Sequence, residues 1–168
     1  MTFNRLESDS YVFAREAHGG QFREGSGSPY IDHPASVAAI LKSYGADSET
    51  VAAGNLHDTV EDTPATLDEI ERRFGKDIAF LVDGVTKIEG DKPGTMKKVQ
   101  NYAGKDSRVI MVKMADIIHN LSDHPEVIKN PAEYWHSTNF YIGLGQEHGY
   151  KDMAWDLQKL NGDFLSFT

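Results

Sequence analysis

Asp106-Ser107-Arg108-Val109-Ile110-Met111-Val112-Lys113-Met114-Ala115-Asp116-Ile117-Ile118-His119-Asn120-Leu121 is the most apolar long segment of the chain. Its valines, isoleucines, methionines and leucine leave almost no polar face, so as a helix it belongs at the centre of a fold. Asp116 sits in the middle of it. A buried carboxylate without a partner is very costly. Asp116 therefore calls for a buried lysine or arginine, a helix end to cap, or a metal ion, and the ligand reading is preferred. Asn120, one turn on, faces the same way.

Outward from this segment the chain reads as helices, with strand patterns essentially absent. Leu6 to His18 forms the first, stopped by Gly19-Gly20. Gln21 to Ser28 is a loop. Pro34 suits the first position of a second helix, which places His33 at its mouth and ends at Gly45. Asp47 or Ser48 caps a third helix, which carries Gly54-Asn55-Leu56-His57-Asp58-Thr59-Val60-Glu61-Asp62-Thr63 and stops before Pro64. Thr66 and Glu69 form a capping box for a helix running to Phe74. Asp77 to Asp83 continues the pattern. Gly90 to Gly104, with its glycines, proline and lysines, reads as a surface loop or mobile lid. Two further helices occupy 130–168, parted by Gly149, the second ending at Asn161-Gly162. Their aromatics read as core. The expectation is a single all-α domain over 1–168 with a C-terminal helical pair.

Composition narrows the function. The 168 residues carry a formal net charge of -9 and no cysteine. Disulfides, thiolate zinc sites and a cysteine nucleophile are excluded. An acidic surface argues against nucleic-acid binding. No apolar run approaches the ~18 residues of a membrane span, and no signal-peptide core opens the chain. The expected setting is the cytoplasm.

His57, Asp58, Glu61 and Asp62 concentrate one imidazole and three carboxylates in six positions. If the stretch is one helix, the carboxylates share a face and repel. Either it is an acidic helix end near another helix's positive pole, or a cation sits opposite. With His33 and Asp116 the second reading gains weight. His33, His57, Asp58 and Asp116 would form a two-imidazole, two-carboxylate set suited to manganese, iron or zinc. Manganese or iron is preferred over zinc if water completes the shell. Such an ion acidifies water and polarises a phosphoryl oxygen. Glu61 and Asp62 lie one turn beyond Asp58, placed to handle water and protons. His18 reads as a helix-end histidine. His119 is expected to point away from Asp116.

The pattern resembles the HD-superfamily phosphohydrolases. It is most similar to the hydrolase domain of RelA/SpoT proteins and their stand-alone small alarmone hydrolases, because no synthetase domain follows. The blocks carrying the resemblance, over about 11–125, are Phe13-Ala14-Arg15-Glu16-Ala17-His18 with Gln21, Pro29-Tyr30-Ile31 with His33-Pro34, His57-Asp58 with Val60-Glu61-Asp62-Thr63, Phe74-Gly75, Val82-Asp83-Gly84-Val85-Thr86-Lys87, and Val112-Lys113 with Ala115-Asp116 and His119-Asn120. The resemblance implies an HD-domain helical bundle that removes the 3′-pyrophosphate of guanosine tetra- or pentaphosphate with Mn2+, or alternatively Fe2+ or Zn2+. It implies metal binding by His33, His57, Asp58 and Asp116, catalysis by Glu61 and Asp62, and substrate contacts from Arg23, Lys113 and Asn120. The chain departs from the family at Glu24, Ile117 and Asp123, all on the nucleotide rim. An acid beside a polyphosphate weakens binding. The alternatives are an HD phosphohydrolase of another nucleotide phosphate such as NADPH, and an alarmone-binding module without catalysis.

Overall fold

The computed structural model describes residues 4–165, and among them the fold is all-α. Ten helices follow in order: α1 Arg5–Ala17, α2 Asp32–Ser43, α3 Ser48–Leu56, α4 Thr59–Asp62, α5 Leu67–Phe74, α6 Lys76–Val85, α7 Lys92–Ala103, α8 Arg108–Asp123, α9 Pro131–Glu147 and α10 Lys151–Leu165. The only extended pairing among the described residues is an isolated antiparallel bridge between Phe22 and Pro29. No described helix is long and apolar enough to cross a membrane.

α8 is the axis. It packs against α2, α3, α6, α7, α9 and α10, and Val109, Ile110, Val112, Met114 and Ala115 are fully enclosed. Leu41, Leu56, Leu81 and Leu157 close in from the surrounding helices. Burying a side chain of this size contributes roughly 1.5–3 kcal/mol, so the hydrophobic pattern of α8 dictates the arrangement around it. One close approach in this core is at Gly54. A Cβ there would lie 2.5 Å from Leu41 Cδ1 and 3.3 Å from Ala38 Cα, so α3 meets α2 closely only because residue 54 lacks a side chain.

Several boundaries match the sequence reading. The Asp47 side chain caps α3 by accepting from Thr50 N, and Thr66 caps α5 by accepting from Glu69 N. Others differ. α2 begins at Asp32, so Pro34 stands third in the helix rather than first. The N–H at that position also lacks an intrahelical acceptor, so proline sacrifices no hydrogen bond there. The His57-Asp58 stretch is not one helix. α3 ends at Leu56, His57 and Asp58 form a turn, and α4 restarts at Thr59. The Thr59 hydroxyl donates to Leu56 O at 2.7 Å, which satisfies a carbonyl at the break. Residues 90–104 are no loop, because α7 occupies most of them. Asp91 caps that helix by accepting from Gly94 N at 2.8 Å, and Pro93 sits in its first turn. Finally, α10 runs through Asn161-Gly162 to Leu165. Asn161 is buried and donates to Asn139 Oδ1 on α9 at 3.2 Å, so it anchors the helix instead of ending it.

Candidate active site

Three backbone positions bring four side chains together. His33 comes from the first turn of α2, His57 and Asp58 from the α3–α4 turn, and Asp116 from the middle of α8. All four are buried. Ligand atoms of His33, His57 and Asp58 lie within 4.8 Å of one another. His33 Nε2 is 3.4 Å from Asp58 Oδ2 and 3.3 Å from Asp116 Oδ1. His57 Nε2 is 3.1 Å from Asp58 Oδ2 and 3.8 Å from Asp116 Oδ1.

The electrostatics call for positive charge at this point. Burial alone would push His57 down, but Asp58 and then Asp116 hold it up at about 9. Burial would push both carboxyls up. Asp58 is nevertheless held well below the usual carboxylate range by His57 and His33, and Asp116 by Lys113, His33 and His57. His57 Nδ1 faces Gly54 O at 2.8 Å, and a carbonyl can only accept, so the ring hydrogen is on Nδ1. Its buried Nε2 makes no well-aligned hydrogen bond, although Asp58 Oδ2 lies 3.1 Å away. Such an imidazole nitrogen among two carboxylates and a second imidazole is a donor set that fits a borderline divalent cation.

Each carboxylate is also fixed from behind. Asp116 Oδ2 accepts from Lys113 Nζ at 2.9 Å and Oδ1 from Asn120 Nδ2 at 2.8 Å. Lys113 is itself buried, so the lysine partner and the inward-facing oxygen expected of Asp116 coexist. The Tyr30 hydroxyl donates to Asp58 Oδ2 at 2.7 Å and lies 3.2 Å from Asp62 Oδ2. Burial, then Asp58, pushes that phenol up and keeps it a donor.

Above this floor opens a cleft of about 850 Å³, within the size range of small-ligand sites. Glu61, Asp62, Lys87, Lys113, Asp116 and Asn120 line it, together with Lys92, Thr95, Tyr134 and Thr138. His33, His57 and Asp58 lie beneath it and do not line it. Glu61 is held by one residue twice, accepting from Lys87 N at 3.1 Å and Lys87 Nζ at 2.7 Å. The Asp62 carboxyl is pushed up by burial, then by Asp58 and Glu61.

The predicted rim residues are less uniform. Lys113 and Asn120 reach the cleft, but Arg23 does not line it. The Arg23 guanidinium bonds Asn120 Oδ1 at 3.2 Å and Asp123 Oδ2 at 3.2 Å, with its carbon 5.8 Å from the Tyr30 ring centre. The departure at Asp123 thus engages the one cation of this loop. His18 stays away from the cluster. It is buried against Gln21 and stacks near Tyr30, with ring centres 4.7 Å apart.

His119 was expected to point away from Asp116; its ring turns to another member of the set, His33. Its Nδ1 lies 2.8 Å from His33 Nδ1. Residues 116 and 119 are one helical turn apart, and the ring of His33 reaches both. Burial, then His33, pushes His119 down to about 4. Lys87 was also given no role, although it closes the Val82–Lys87 block. Tyr134, read as core, has a buried hydroxyl with no partner. Spacing gave no signal for His119 and Lys87 because the groups they meet, His33 for one and Glu61 for the other, lie far away in sequence.

An HD-domain family model matches residues 10–149. The chain is 46% identical over 93% of its length to the bifunctional (p)ppGpp synthase/hydrolase SpoT of Escherichia coli K12, of which it covers 24%. It is 38% identical over 95% of its length to a GTP pyrophosphokinase of Streptomyces coelicolor, of which it covers 20%. The chain therefore spans about a quarter or less of the length of these relatives. In fold it is similar to a solved metazoan ortholog of SpoT described as hydrolysing ppGpp, with a TM-score of 0.80 at 24% identity, covering 95% of this chain and 96% of that one.

Proposed function

The chain belongs to the HD-domain family, and from that premise we propose that it removes the 3′-pyrophosphate of guanosine tetra- or pentaphosphate, releasing GDP or GTP and pyrophosphate. One observation carries this reading: buried His33, His57 and Asp58 meet Asp116 at the wall of a cleft that Glu61 and Asp62 also line. The hydrolase names of its curated relatives supply the substrate. The catalysis would be metal-dependent, with those four residues as ligands and manganese as the ion. That ion would supply Lewis-acid polarisation of the phosphoryl oxygens and a more acidic water.

The chain's own residues do the rest. Glu61, fixed by Lys87, accepts a proton from the attacking water. The water oxygen bonds to the phosphorus attached to O3′, and the O3′–P bond breaks. Asp62, its carboxyl raised by burial and by Asp58, is suited to hold the proton that O3′ takes up. Lys113 and Asn120 steady Asp116 and face the substrate phosphates, and Arg23 approaches the nucleoside from the loop. The domain is read as one unit over 1–168, acting in the cytoplasm on a small nucleotide without nucleic acid or membrane.

The test is pyrophosphate release from guanosine tetraphosphate, with and without manganese, for wild type and Glu61→Gln. Metal-dependent release that disappears in the variant is expected. A metal-loaded wild type that releases nothing overturns the substrate, and NADPH is then the next nucleotide to assay.

A further inference from the structure

Two imidazole nitrogens meet at 2.8 Å between His33 Nδ1 and His119 Nδ1. One must carry the hydrogen and the other must not. His33 turns its other nitrogen, Nε2, toward Asp58 and Asp116 at 3.4 and 3.3 Å. A cation held at that point occupies the Nε2 lone pair, so the ring hydrogen of His33 must sit on Nδ1. It then points at His119 Nδ1, which has to be the acceptor.

We propose that His119 is a positioning residue that fixes the tautomer and ring orientation of His33, and so sets the metal affinity of the floor. The inference rests on the metal reading of the site. The other imidazole sharpens it. His57 has the equivalent duty performed by Gly54 O, which can only accept. That side of the site is locked by backbone. The His33 side is held by a side chain that could hold its hydrogen on either nitrogen, so it depends on which residue stands at 119. Partners that orient a ligating histidine in this way change metal affinity by roughly 10–100-fold when removed.

The experiment is a titration of Mn2+ into the metal-stripped full chain, following free Mn2+ by electron paramagnetic resonance, with no substrate present. His119→Phe keeps a ring but removes the acceptor, and its affinity should fall by roughly 10–100-fold. His119→Asn keeps an acceptor oxygen near the Nδ1 position and should restore most of that loss. Equal binding by wild type and His119→Phe overturns the inference and leaves the metal reading standing. Equal losses in both variants also overturn it, because an acceptor at 119 would then fail to restore the site. A wild type that takes up no Mn2+ overturns the metal reading and this inference with it. Imidazole nitrogen NMR of the zinc-loaded wild type needs no variant: a hydrogen on His33 Nδ1 is expected, and a bare His33 Nδ1 refutes the assignment.

Discussion

At the floor of the cleft, Asp116 commits one oxygen to Lys113 and presents the other to Asn120 and the two imidazoles, deep in the core. At the rim, Arg23 holds Asp123 and Asn120 from a loop whose Ser26 and Ser28 are bonded mainly to each other. Both regions pair acids with bases. The floor does so among buried side chains and around a common point, so its charges cannot be satisfied separately. The rim does so where solvent screens each pair, so its contacts are replaceable. The floor is consequently suited to chemistry, and the rim is the part that substitution can retune.

The largest break of this contrast is Asp116→Ala. It strands buried Lys113 and removes a proposed ligand, so it should abolish metal binding. It should also cost about 3–5 kcal/mol of stability, the usual penalty for an unpaired buried charge. Metal uptake and urea unfolding together read both effects. Glu61→Gln leaves the floor intact. It should bind metal as wild type does and lower kcat by about 10²–10⁴-fold, as a single-turnover assay would show.

Asp62→Asn sharpens the comparison through pH. The Asp62 carboxyl is pushed above its ordinary value of 3.8. A group raised in the folded state favours folding when protonated, and that advantage is lost as pH rises through the folded value. At neutral pH the ionised carboxylate therefore opposes folding of the metal-free protein, beside Asp58 and Glu61. The variant should melt higher than wild type at pH 7, with the gain shrinking as pH falls toward 4, while turnover drops. A lower melting point at pH 7 would contradict the repulsion among these acids. The smallest effect belongs to the rim. Asp123→Ala releases Arg23 from a partly exposed pair, worth about 0.2–1 kcal/mol. The KM for guanosine tetraphosphate should fall by no more than about fivefold, with kcat unchanged.

The same contrast explains what the sequence disclosed. α8 was legible because apolar residues on every side leave a helix only one place to go, and Asp116 was legible because such a place makes a carboxylate conspicuous. His33, His57 and Asp58 followed from residue type. α7 was not legible, since Asp91, Pro93 and Gly94 are loop residues by composition and helix-starting residues by position. The break after Leu56 was hidden because Thr59 makes its turn with a side-chain bond that no apolar period records. His119 and Lys87 were missed for a third reason. Each owes its place to a residue on a different helix, His33 for one and Glu61 for the other, and one-dimensional spacing carries no information about such meetings.

Gly54 has a bearing on how far apart His33 and His57 stand. It stands three residues before His57 and accepts that ring's hydrogen through its carbonyl, while its bare α-carbon lets α3 close on α2, the helix that carries His33. A methyl group at this point would act as a shim. It would prise the two helices apart by a few tenths of an ångström and spread the two imidazoles with them. Divalent ions are told apart by bond lengths that differ by about that much. The spacing of the two imidazoles thus rests on an atom that is missing from a neighbouring helix.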